Sequence, residues 1–194
     1  LGQRGIPAAV LKGMHTGWVY FPETGTRPCA DVDLLVAPQD FGHAAAALKE
    51  LGFHQGATVP DPPRTEWLPP EGPELPVSLE VTHRDNPWAI DLHATLDRTL
   101  RSGRRAGLGS HSAAEWVRLD RDGRRLYGLP QPLLLAALAF HTASHLENSP
   151  LVRYVELVQG IRRDFQARPD LWRGFLNLVD RTRTGRFVYP ALEL

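Results

Sequence analysis

Asp31-Val32-Asp33, followed at once by Leu34-Leu35-Val36, constrains this chain more than any other stretch. A β-strand repeats its side-chain direction every two residues, so both carboxylates project from one face. The apolar run behind them roots the strand in a core. Like charges held side by side repel, and they persist most readily with a cation between them. Two other segments supply what the pair lacks. Ile6 to Leu11 reads as a short strand entering a Lys12-Gly13 turn, and Ile90-Asp91-Leu92-His93 reads as a strand carrying a third carboxylate.

The surrounding pattern is mixed. Met14 to Tyr20 reads as a short helix ended by Pro22 and a Thr24-Gly25 turn. Pro38 opens a helix to about Leu51, with Phe41, Ala45, Leu48 and Leu51 on one stripe and Gly52 as its stop. Val59 to Pro76 holds seven of the 17 prolines and reads as a loop with little regular structure, an insertion rather than a lid. Val77 to Val81 alternates as a half-buried strand and is expected to pair with Trp88 to His93 as a hairpin. Thr99 to Ser110, with Arg101, Arg104 and Arg105, reads as an exposed linker or a mobile loop. From Pro130 onward the pattern is helical, with helices expected over Leu133 to Leu146, Leu151 to Phe165 and Pro169 to about Val179. The fold class is α+β, with a small mixed sheet and flanking helices over residues 1–128 and a C-terminal helical bundle over 129–194.

Composition narrows the class. The 194 residues carry 22 basic and 22 acidic side chains, a formal net charge of zero, which argues against a long nucleic-acid partner. No run of about 18 apolar residues is present, so no membrane span is expected. A single cysteine, Cys29, cannot form an internal disulfide and suits a reducing cytoplasm. The chain opens on Leu1 and reads as part of a longer sequence. Lys12 and Lys49 are the only lysines in an arginine-rich chain. A lysine at the glycine turn offers a compact ammonium, a point charge suited to phosphate.

Taken in order, Leu11-Lys12-Gly13, Tyr20-Phe21-Pro22, Arg27, Asp31-Val32-Asp33-Leu34-Leu35-Val36 and Asp91-Leu92-His93 resemble the nucleotidyltransferase superfamily, the group with DNA polymerase beta-like catalytic domains. Within it they resemble a poorly characterised bacterial branch. The helical stretch with His141 and His145 is similar to that branch as well, so the resemblance spans nearly the whole chain. It departs from the wider superfamily at the glycine turn, where Lys12-Gly13-Met14-His15 stands in place of the usual Gly-Ser pair.

The resemblance implies a transferase that moves a nucleoside monophosphate from a nucleoside triphosphate such as ATP to a hydroxyl of a small molecule, protein or peptide. The cofactor it implies is Mg2+ or Mn2+. Asp31, Asp33 and Asp91 then serve as catalytic and metal-binding acids, and Lys12, Gly13, Arg27 and His93 lie on the nucleotide side. The alternative is a non-catalytic nucleotide-binding or scaffold relative within a biosynthetic or toxin–antitoxin complex. The intact acids favour the enzyme, and the missing Gly-Ser pair favours the alternative.

Other polar residues read more plainly. His141 and His145 are spaced i, i+4, which can place two imidazoles on one metal, but Thr142 stands where a zinc hydrolase would carry a glutamate. They read instead as polar spots in a helix interface, with Glu156 able to meet them from the next helix. Cys29 reads as a small buried residue.

Overall fold

The computed structural model describes residues 1–23, 26–29, 31–60, 62–70, 89–99, 105–144 and 149–193. It separates into two compact units, Leu1–Thr95 with Ser110–Gly128, and Leu96–Gly109 with Leu129–Leu194. The second unit therefore claims a short excursion, Leu96–Gly109, from the stretch read as one continuous N-terminal domain.

The first unit is built on a five-stranded sheet of order β1-β2-β5-β4-β3. Its strands are β1 (Ala9–Val10), β2 (Asp31–Leu35), β3 (His54–Val59), β4 (Arg64–Leu68) and β5 (Ala89–His93). β2 and β5 run parallel, and the other pairs are antiparallel. Parallel neighbours need a crossover, and α2 (Phe41–Glu50) lies within it. One face of the sheet packs a core of Val36, Ala44, Leu48, Trp67 and Leu92, joined by Leu34, Phe41, Ala45, Phe53 and Ile90. Each such leucine contributes roughly 1.5–3 kcal/mol by leaving water. Period two sends Asp31, Asp33, Asp91, His93, Arg64 and Glu66 to the other face. The helix buries Ala44, Ala47 and Leu48, which leaves Leu51 more than half exposed. Gly52, at φ 88, ends that helix.

Two sequence expectations fail in physically simple ways. The proline-rich stretch contains β4, because its prolines cluster outside Arg64–Leu68 and leave Thr65 and Trp67 free to alternate into the core. It is an inner strand of the sheet rather than an insertion. The segment read as a linker contributes an antiparallel pair, β6 (Asp97–Thr99) and β7 (Arg105–Gly107). There Asp97 takes the Gly109 N–H at 2.7 Å, and a Cβ on Gly107 would lie 2.3 Å from the Asp97 Cα. The strand expected at 77–81 lies outside the described residues. β5 takes β2 and β4 as its neighbours.

A further hairpin, β8 (Val117–Arg121) and β9 (Arg124–Gly128), joins the first unit. Its two-residue loop is Asp122-Gly123, both at positive φ (51 and 72). An Asp-Gly pair is what a tight hairpin of this twist requires. The hairpin carries Arg121 to the C-terminal end of α1 (Lys12–Tyr20). Arg121 donates to the carbonyls of Trp18 at 3.0 Å, Phe21 at 3.1 Å and Pro22 at 2.5 Å. A cation suits that end of a helix, where carbonyls lack intrahelical partners.

In the second unit α3 (Gln131–Ala143) is apolar almost all round and is packed by α4 (Leu151–Gly160), α5 (Pro169–Thr182) and α6 (Gly185–Val188). A single π-type turn, Ile161–Phe165, follows α4. Phe165, Trp172 and Phe175 meet edge to face beside it. No helix of the described residues is long and apolar enough to cross a membrane.

Arg121→Ala should destabilise the first unit by about 1.5–3 kcal/mol, the worth of charge-assisted bonds to otherwise unpaired carbonyls. Arg118→Ala, which removes only an exposed pair with Asp120, should leave the urea-unfolding midpoint nearly where it is.

Candidate active site

The site is set by register. Asp33 stands opposite Asp91 on the parallel pair β2–β5, and Asp91 stands opposite Glu66 on β4. Three acids thus form one row across the sheet, with Asp31 two residues before Asp33 on the same face. A carboxylate oxygen of Asp33, one of Asp91 and a ring nitrogen of His93 all lie within 4.8 Å of one another. Among the described residues this is the one such cluster of potential metal ligands.

Asp33 is the centre of it. Its side chain is almost wholly buried, and its Oδ1 meets the Lys12 Nζ at 2.6 Å and the His93 Nε2 at 3.0 Å. Burial pushes the Asp33 carboxyl up, but the Lys12 ammonium and the His93 bond outweigh it and hold the group well below the usual carboxylate range. The histidine thus serves Asp33 across the strand pair. Asp31 is half-buried, and burial together with the Asp33 charge raises its carboxyl. Lys12 and Arg27 pull against that rise.

Lys12 reaches Asp33 through an unusual backbone. Its φ is 32, in the left-handed region that non-glycine residues enter at a cost of about 1–3 kcal/mol. The turn is braced by the Leu11 N–H on the Asp33 carbonyl at 3.0 Å. The Thr16 hydroxyl adds a bond to the Lys12 carbonyl at 2.8 Å. The Lys12 ammonium thus sets one positive charge directly against the Asp-x-Asp pair.

Arg27 lies along one side of α1, over Gly13 and Gly17. A Cβ on Gly13 would sit 2.4 Å from a guanidinium nitrogen of Arg27, whereas one on Gly17 would meet its stem at an ordinary 3.5 Å. Gly13 therefore makes room for a cation at the first turn of the helix. Cys29 donates its thiol to the Asp31 carbonyl at 2.8 Å, and burial pushes that thiol up.

β4 adds two residues that sequence reasoning missed. The Arg64 guanidinium stands 3.6 Å from an Asp91 carboxylate oxygen. Glu66 faces the same way, but its carboxylate accepts the Ala57 N–H at 3.3 Å. Ala57 lies in a bulge of β3, where the register shifts between Gln55 and Thr58. The only signal for these residues is the period of two in Arg64-Thr65-Glu66-Trp67, obscured by the prolines on both sides.

In the second unit, the His141 Nδ1 accepts from Arg98 at 2.5 Å, and His145 lies outside the described residues. Glu156 is buried in α4.

Gly13→Ala should expel the Arg27 guanidinium without unfolding the chain, because the clash falls on the end of a flexible side chain. In 1H–15N spectra the Arg27 Nε–H resonance should move in Gly13→Ala and stay in Gly17→Ala. Lys12→Met leaves a buried carboxylate without its ammonium, a change that costs about 3–5 kcal/mol in buried pairs. The pH dependence carries a sign. A carboxyl held below its unfolded value of about 3.9 stabilises the fold above that pH, and the benefit is lost as pH falls toward the folded value. The parent protein, with chelator present, should therefore weaken on the acid side. In Lys12→Met this acid-side loss should shrink, because the strongest charge holding the Asp33 carboxyl down is gone, as read by urea titrations.

The fold is shared with solved structures. The lincosamide antibiotic adenylyltransferase LnuA, lincomycin-bound, matches with a TM-score of 0.51 at 11% identity, over 82% of this chain and 88% of that one. ANT(2")-Ia in complex with adenylyl-2"-tobramycin matches with a TM-score of 0.56 at 11% identity, over 93% of this chain and 91% of that one. The solution structure of the same resistance factor gives 0.56 at 13% identity, over 99% and 88%. At such identities the likeness speaks to the fold. No curated protein sequence matches the chain. A family model described as "uncharacterised nucleotidyltransferase" matches residues 1–194, and the chain accordingly belongs to that nucleotidyltransferase family.

Proposed function

We propose that the protein transfers a nucleoside monophosphate from a nucleoside triphosphate to a hydroxyl of a small acceptor. The observation that carries this reading is the in-register pair Asp33 and Asp91 on parallel strands, beside a lysine at a glycine turn. The donor set fits a hard divalent cation. Two carboxylates and Asp31 next to them offer oxygen ligands, and 4.8 Å at most separates the Asp33, Asp91 and His93 atoms. An octahedral ion with ligands at about 2.1 Å spans roughly 4.2 Å between opposite ligands, so a small closure suffices. Asp31 and Asp33 would hold the ion on the triphosphate side, and Asp33 and Asp91 the one on the acceptor side. Bound Mg2+ would neutralise charge developing on the phosphate oxygens.

The chain's own residues supply the rest. Lys12 leaves Asp33 for the triphosphate, and Arg27 over Gly13 adds a second positive charge. The N-terminal turn of α1 offers backbone N–H groups to the same oxygens. His93 keeps the Asp33 carboxylate in one orientation. Asp91 takes the proton of the acceptor hydroxyl. That oxygen bonds to the α-phosphorus, the bridge to the β-phosphate breaks, and pyrophosphate departs. One of the neighbours is a lincosamide antibiotic adenylyltransferase and another is solved in complex with adenylyl-2"-tobramycin, which supports ATP as donor and a hydroxylated small molecule as acceptor.

Asp33→Asn should lower Mg2+-dependent affinity for a non-hydrolysable ATP analogue by at least about 100-fold, or about 2.7 kcal/mol, as read by calorimetry. Asp91→Ala should retain much of that affinity while losing pyrophosphate release. Equal, Mg2+-dependent binding by Asp33→Asn and the parent would remove the metal-site assignment.

A further inference from the structure

We propose that the acceptor carries an anionic group, a carboxylate or a phosphate, and that Arg64 recognises it. The inference rests on the nucleotidyl-transfer reading and adds the charge class of the acceptor to it. Across the sheet, positive groups occur at both ends of the acidic row. Lys12 and Arg27 flank the β1–α1 turn, and Arg64 lies at the opposite end on β4, in register with His93. In-line transfer puts the entering hydroxyl and the leaving pyrophosphate on opposite sides of the phosphorus. With the triphosphate drawn to Lys12 and Arg27, the acceptor enters from the β4 end.

Arg64 is poised for a ligand there. Its side chain is 41% exposed and its pairing with Asp91, at 3.6 Å, is longer than a hydrogen bond. Among the described residues it makes no other polar contact. Asp91 is far more buried, at 12% side-chain exposure, so the charge with freedom to turn is the arginine. Glu66, the nearest competing group on β4, has its carboxylate turned to the β3 bulge. A planar guanidinium with five donors matches a carboxylate or phosphate two bonds at a time. A cation beside Asp91 also repels a polycationic acceptor, which separates this site from one built for an aminoglycoside.

The test uses the intact chain saturated with Mg2+ and α,β-methylene-ATP, so that the triphosphate site is filled. Binding of that analogue to the parent protein is measured first. Its failure would overturn the nucleotidyl-transfer reading and this proposal together. Glycerol 3-phosphate, glycerol and tobramycin are then titrated as anionic, neutral and cationic hydroxyl compounds, followed by 1H–15N spectra. Glycerol 3-phosphate should bind most tightly of the three and shift the Arg64 Nε–H resonance. Arg64→Gln should weaken it about three- to tenfold, and Arg64→Lys should fall between. If glycerol or tobramycin binds as tightly as glycerol 3-phosphate, or Arg64→Gln binds it as the parent does, the proposal is overturned while the transfer reading stands.

Discussion

The buried carboxylate of Asp33 is the constraint on which this structure turns. An ionised group at that depth is costly unless paired and hydrogen-bonded, and two of its partners come from different segments. Lys12 arrives from the turn after β1, and His93 from the parallel strand β5. The cost of a left-handed Lys12 is offset by that pairing. Both contacts depend on strand register, because a slip of one residue on β2 or β5 would send the acids into the apolar face. The same slip would bring Leu34 or Leu92 out of the core.

The two faces of the sheet therefore stabilise one another. Trp67, Leu92, Val36 and the α2 alanines bury apolar surface on one side. That burial fixes the alternation which brings Asp33, Asp91, Arg64 and Glu66 together on the other. Supporting contacts act at the margins. Arg121 gathers the carbonyls at the end of α1, the helix whose first turn carries Lys12. The β3 bulge draws the Glu66 carboxylate aside, leaving Arg64 beside Asp91.

Much of this was legible in the sequence, for a reason of period. Asp31-Val32-Asp33 and Asp91-Leu92-His93 show their strand alternation directly, whereas Lys12 and Gly13, expected as a turn ahead of the helix, form the first turn of α1 itself. The α+β class and the three main C-terminal helices follow from the same patterns. Register between distant strands is not written locally, so the pairing of His93 with Asp33 required the structure. β4 was hidden by Pro60, Pro62, Pro63, Pro69 and Pro70, which bound the strand but swamp a short alternating segment. The β6–β7 pair was hidden because arginine and glycine content resembles a linker. Lys12 stands at positive φ, where residue preference points to glycine, so its reach to Asp33 could not be read from type alone. Arg121 caps a helix about a hundred residues away in sequence, a contact that no local pattern records.

The metal assignment is tested most directly by a crystal structure with Mn2+ and α,β-methylene-ATP, read by anomalous scattering. A manganese peak is expected bounded by carboxylate oxygens of Asp31 and Asp33, within reach of Asp91, with Lys12 moved from Asp33 onto a phosphate oxygen. A nucleotide bound elsewhere, or a manganese peak away from these acids with Lys12 still on Asp33, would contradict it.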